Sequence, residues 1–231
     1  MVSIRRADER GRTNWQWLDS RHSFSFGEYF DPSHMGHRTL RVINDDRVAP
    51  GAGFGAHPHH DMEILSYVLE GALEHKDSLG NGSIIRPGEI QHMRAGSGVV
   101  HSEYNPSPTE ATHFLQIWIV PGQRGLTPAY GQYRFDTAKA AAGFVLLASR
   151  DGRDQSVALQ QDLDLWVTRL DGAAARTFDL REGRSAWVHV ARGSVVINGR
   201  VLSEGDAAEV TSEMLTLTNG DGAEVLVFDI A

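Results

Sequence analysis

The sequence predicts an all-β protein made of two antiparallel barrel units in tandem. Three observations carry this. Short segments rich in Val, Ile, Leu, Tyr and Trp recur, among them THFLQIWIV, LDLWVTRL, SAWVHVA, SVVINGRVL and AEVLVFDI. Turn-forming Gly, Asn, Asp and Pro divide them, and the 24 glycines are spread along the chain as a succession of hairpins requires. The third observation is an internal repeat.

In the first half, ILSYVLEGALEH leads through a turn to IIRPGEIQHM; in the second, AWVHVARGSVVINGR leads to VLSEGDAAEV. Both read strand, glycine corner (Gly71 or Gly193), strand, turn, strand, then a glycine-acid step at Gly88-Glu89 or Gly205-Asp206. Such steps suit tight turns, because glycine accepts positive φ without a Cβ clash. A match of this length predicts two copies of one unit, with the boundary after residue 134 giving domains 1–134 and 135–231. Helical signal is confined to a connector near DTAKAAAG.

Composition narrows the function. A chain of 231 residues has room for two compact cores. The charge of −8 repels phosphate backbones, so no direct nucleic-acid binding is expected. No apolar run approaches the roughly 20 residues of a membrane span. The charged start MVSIRRADERGR lacks the apolar core of a secretory signal, so the expected location is the cytoplasm. Cysteine is absent, which rules out disulfides and thiolate ligands and leaves nitrogen and oxygen to hold any metal.

Ten of the eleven histidines precede residue 114. Two patterns stand out among them, His57-Pro58-His59 and His101-Ser102-Glu103. Side chains at i and i+2 of a strand share a face, about 6–7 Å apart. Each pair can therefore aim two ligands at one point, and two strands facing across a barrel supply four. Three imidazoles and a carboxylate suit one divalent transition metal; iron is expected first, with Ni, Co, Mn, Cu or Zn also compatible, and the ligand types alone do not choose among them. Glycines flank both pairs, Gly51, Gly53 and Gly55 before the first and Gly96 and Gly98 before the second. The same parity puts Glu63 on the face of His57 and His59 if no bulge intervenes, so geometry leaves Glu63 open as a ligand.

At these residues the chain resembles the cupins. Gly51, His57, His59 and Glu63 fit the first cupin motif, with Gly71 one residue late. Gly98, His101 and Asn105 fit the second, with Gly96 where proline is usual. The longer strings HSFSFGEYFDP, RVINDD, GFGAHPHHDMEILSYVLEG, EHKDSLGN and AGSGVVHSEYN resemble the pirin family, and more narrowly the bacterial pirins described as quercetin 2,3-dioxygenases. That resemblance implies two jelly-roll cupin β-barrels packed in tandem, the metal held by His57, His59, His101 and Glu103. Glu103, or a metal-bound hydroxide, is then the expected catalytic acceptor of the substrate's hydroxyl proton. The implied substrates are a flavonol such as quercetin and dioxygen, with the central ring opened to carbon monoxide and a depside. Eukaryotic pirins imply another role, a metal-bearing regulator that binds a transcription factor or metabolic enzyme. In the second copy, the positions equivalent to the four ligands are Asp179, Arg181, Thr218 and Gly220, so that domain is expected to hold no metal.

Other polar residues have plainer readings. His60 and Asp61 read as a pocket rim or a solvated turn, and His92 as a strand residue. His22, His34 and His37 read as loop polarity, Phe24, Phe26, Tyr29 and Phe30 as core or pocket wall, and Asn105 as a brace for Glu103.

Overall fold

The strand Glu63–Glu70 shows how the sequence organises the first unit: seven of its eight residues are buried, apolar but for Glu63 and Ser66. The computed structural model describes residues 2–211 and 214–231. The chain forms two all-β units, Gly11–Phe135 on one side and Met1–Arg10 with Asp136–Ala231 on the other. No helix among the described residues is long and apolar enough to cross a membrane.

The first unit has two antiparallel sheets. Seven strands run in the order Ala129–Arg134, Glu89–Arg94, Glu63–Glu70, Thr112–Ile119, Leu40–Val48, Leu18–His22 and Gly11–Asn14. Four run in the order Gly53–His59, Val99–Tyr104, Leu73–Asp77 and Gly82–Ile85. A shared core joins them, with Leu73 and Ile85 of the smaller sheet against Val48, Val68 and Phe114 of the larger. Each such side chain contributes about 1.5–3 kcal/mol by leaving water. Ile64, Met93 and Val99 form a second contact between the sheets.

In the second unit one nine-stranded sheet is built around two long strands, Ser185–Ile197 and Leu215–Ile230. Their register slips at three places between Val190 and Val196, and such bulges bend a strand. Ser185–Ile197 therefore pairs with Ala207–Thr211 along one stretch and with Arg200–Ser203 along another. The core is aliphatic, including Val188, Val190, Ile197, Leu217 and Val225. A helix, Thr137–Ala142, forms where DTAKAAAG is; Asp136 caps it by accepting from the backbone N–H groups of Ala138 (2.9 Å) and Lys139 (3.2 Å).

The repeat is visible atom by atom. Gly71 and Gly193 have φ of 71° and 65°, Gly88 and Gly205 φ of 86° and 83°. At the glycine-acid steps, Glu89 accepts from the Arg86 backbone N–H at 2.8 Å and Asp206 from that of Ser203 at 3.0 Å.

A boundary after residue 134 leaves the first ten residues with the first domain, whereas the structure places them in the second unit. The strand Val2–Arg5 pairs antiparallel with Ala207–Thr211. Asp206 then holds the adjoining residues, accepting from the Arg6 guanidinium at 2.8 Å and the Ala7 N–H at 2.7 Å. Nothing in the local pattern of residues 2–5 reveals a partner so distant in sequence.

Candidate metal centre

Gly53–His59 and Val99–Tyr104 pair antiparallel so that His57 stands opposite His101 and His59 opposite Val99. Continued strictly, this register would set Glu103 opposite Gly55; a bulge sets it opposite Phe54 instead. The extra residue lies on the first strand, where Gly53 approaches its neighbour so closely that a Cβ would fall 2.2 Å from the Glu103 carbonyl oxygen.

The three histidine rings pack together, His59 edge-on to the other two and His57 tilted at 57° to His101. Centroids are 4.8 Å apart for His57–His59, 4.4 Å for His57–His101 and 4.9 Å for His59–His101, and one nitrogen of each lies within 4.8 Å of the others. His57 Nδ1 donates to the Gly55 carbonyl at 2.7 Å, which leaves Nε2 as a lone pair facing His101 Nε2 at 2.9 Å. His59 Nε2 is buried without a hydrogen-bond partner. Burial, then the charges of His57 and His60, pushes His59 down to about 4, so its ring is neutral and able to ligate. His101 is pushed down further, by burial and by His57, His59 and His75.

Glu103 is buried beside them, its Oε2 4.0 Å from His101 Nε2. Gln116 Nε2 donates to Oε2 at 2.7 Å, and the Ser66 hydroxyl lies 3.1 Å from Oε1. Burial raises its carboxyl to about 7 against both hydrogen bonds. Converging neutral nitrogens, an orphaned buried nitrogen and a desolvated carboxyl fit a divalent cation, which would balance the carboxylate charge. Among the described residues, the groups of three or more side chains able to hold a metal lie in the first unit.

His57, His59 and Glu103 open onto a cavity of about 390 Å³ walled by Phe26, Phe54, Trp15 and Trp118. Trp118 stands edge-on to His59 at 4.9 Å and to Phe26 at 5.3 Å. Asp46 Oδ1 and Trp118 Nε1 belong to residues lining this cavity, and both atoms are buried without a partner.

Several single-residue readings change. Glu63 is in neither metal-competent group; its carboxylate accepts from buried His92. Asn105 does not touch Glu103, but donates to the carbonyls of Val48, Ala49 and Glu110 and so pins the strand exit. His22 is not loop polarity: it ends a strand, lines the cavity, and is held by Asn44 (2.7 Å) and Thr13 (2.9 Å). His34 pairs with Asp31 at 2.7 Å, and His60 is exposed beside Asp61. Phe24 is core, Phe26 is cavity wall and Phe30 is exposed. Ser66, Gln116, Asp46 and Trp118 were legible only as polar or oversized interruptions in the apolar runs of their strands.

Residues 3–119 match the Pirin family and residues 146–230 the quercetinase C-terminal cupin domain. The chain is 47% identical over 231 residues to a quercetin 2,3-dioxygenase of Escherichia coli K12, covering 100% of this chain and 99% of that one. A solved structure, the bacterial pirin YhhW from Escherichia coli in complex with nickel(II), superposes with a TM-score of 0.95. It is 46% identical, over 100% of this chain and 99% of that one. A quercetin 2,3-dioxygenase from Acinetobacter baumannii, 21% identical with a TM-score of 0.77, covers 98% of this chain and 85% of that one and shares the fold.

Proposed function

The chain belongs to the pirin family, and from that premise we propose that it is a metal-dependent dioxygenase opening the central ring of a flavonol such as quercetin. The observation that carries this reading is the cluster of three imidazole nitrogens beside an aromatic cavity, with the buried Glu103 carboxylate 4.0 Å from His101. In the proposal His57, His59, His101 and Glu103 hold one divalent transition metal. Iron and nickel both suit a site of three nitrogens and one oxygen, and the related YhhW is known with nickel(II).

When bound, the cation supplies Lewis acidity that favours the deprotonated 3-hydroxyl of the flavonol. The remaining work falls to the chain. Glu103, kept protonatable by burial and oriented by Gln116 and Ser66, takes up the hydroxyl proton. Phe26, Phe54 and Trp118 face the flat ring system and exclude water.

The test is oxygen uptake and carbon monoxide release by protein loaded in turn with iron, nickel, cobalt, manganese, copper and zinc, with quercetin supplied. Turnover with at least one metal, lost in His57→Ala and Glu103→Ala, supports the reading. Stoichiometric metal without oxygen uptake under any loading would overturn it.

A further inference from the structure

Behind His101 lies a second buried cluster, His75, His101 and Glu103, whose ligand atoms also fall within 4.8 Å of one another. His75 and its partner Asp77 have side chains with 0% exposure. Both belong to the strand Leu73–Asp77, which pairs with Val99–Tyr104 so that His75 stands opposite Glu103 and Asp77 opposite His101. Neither residue lines the cavity.

We propose that Asp77 and His75 are positioning residues that set the proton of His101 and aim its lone pair at the metal; this rests on the metal-site reading above. One chain of contacts places each proton in turn. Asp77 Oδ2 lies 3.2 Å from His75 Nε2, and a carboxylate only accepts, so the His75 proton is on Nε2. His75 Nδ1 is then a bare acceptor. His101 Nδ1 lies 3.4 Å from it, so the His101 proton is on Nδ1, and the His101 lone pair is left on Nε2. Gln91 Nε2, a donor only, lies 3.3 Å from the same His75 Nδ1 and agrees with its acceptor role.

The Gly55 carbonyl has already fixed His57 in the same sense. Two lone pairs therefore face each other across 2.9 Å between His57 Nε2 and His101 Nε2, with no proton to share. A cation satisfies both. The far end of the chain of contacts is anchored as firmly: Asp77 accepts from the backbone N–H groups of Leu79 (2.9 Å) and Asn81 (3.0 Å) and from Asn81 Nδ2. Tyr130 stacks on the His75 ring at 4.9 Å and 27°, holding its plane. Outer partners of this kind orient ligand imidazoles and make them better donors.

The experiment uses the full chain, labelled with ¹⁵N-histidine and loaded with zinc as a diamagnetic probe. Long-range ¹H–¹⁵N correlation should show His75 protonated on Nε2 and bare on Nδ1, and His101 protonated on Nδ1. His75 protonated on Nδ1, or His101 bare there, would overturn the proposal whether or not any variant folds. Zinc affinity, measured against a chromophoric chelator, should fall about 10–100-fold in His75→Phe and Asp77→Asn. His75→Gln, whose amide can accept from His101 and donate to Asp77, should recover most of it. Equal affinities throughout would overturn the proposal, as would two zinc equivalents in the wild type with one lost in His75→Phe, which makes His75 a ligand. A wild type that binds no zinc removes the metal-site reading and this proposal together; bound zinc with the wrong tautomers removes this proposal alone.

Discussion

The Glu63 carboxylate is hydrogen-bonded to His92 inside the first unit. The turn at Asp61 ends the strand of His57 and His59 and starts Glu63 on another, so the parity that left it open as a ligand does not hold. Glu63→Ala is therefore expected to leave metal content unchanged while costing about 1–3 kcal/mol of stability, because buried His92 loses its acceptor. Glu103→Gln should do the reverse, keeping the fold and losing the metal. Elemental analysis beside urea unfolding separates the two; metal loss in Glu63→Ala would show that the ligand sets had been confused.

Trp118→Phe keeps an aromatic ring against His59 and Phe26 but deletes the unpartnered N–H. That N–H is sealed from the cavity while the ring forms its wall. The variant should therefore bind metal normally and keep the flavonol KM within about twofold of wild type, whereas Trp118→Ala should raise it roughly fivefold, the equivalent of about 1 kcal/mol. An unchanged KM in Trp118→Ala would remove Trp118 from substrate recognition.

Asp46 gives the fold a pH dependence with an unusual sign. Burial raises its carboxyl to about 7, opposed by a hydrogen bond from Ser20 and reinforced by the charges of Asp45 and Glu103. The unfolded chain loses this proton near pH 4 and the folded chain near pH 7, so stability declines as pH rises through that window. The loss is of order 4 kcal/mol at most. Asp46→Asn should thus gain on the wild type between pH 5 and pH 8 in urea titrations; a constant gap would refute the assignment.

In the second unit, Arg184 donates to Asp229 Oδ1 at 2.6 Å and to Asp162 Oδ1 at 2.7 Å, with Arg184 and Asp229 both buried. Arg184→Ala strips buried Asp229 of its close donor and leaves it only the largely exposed Arg181 at 3.4 Å, an expected cost of up to about 3–5 kcal/mol. The melting temperature should drop sharply.

Legibility in the sequence depends on distance along the chain. The juxtaposition of His57 and His59 with His101 and Glu103 was legible because each pair sits two residues apart on one strand, and the two strands pair antiparallel. The connector helix and the two glycine-acid turns were legible for the same local reason. The support around the ligands was not. Ser66 and Gln116 reach Glu103 from two other strands, and no local spacing connects them. One signal did exist: His75-Lys76-Asp77 repeats the spacing of the ligand pairs and marks the strand beside them.

The strand Val2–Arg5 has a consequence for biosynthesis. Its hydrogen-bonding partner is Ala207–Thr211, so this segment must wait for one made about two hundred residues later before it can pair. At about 5–20 residues per second this delay is roughly ten to forty seconds. During that interval Gly11–Phe135 can fold vectorially, while a short open edge of backbone donors and acceptors trails ahead of it. Crowded polysomes would then be where this chain is most exposed to strand exchange with a neighbouring nascent copy.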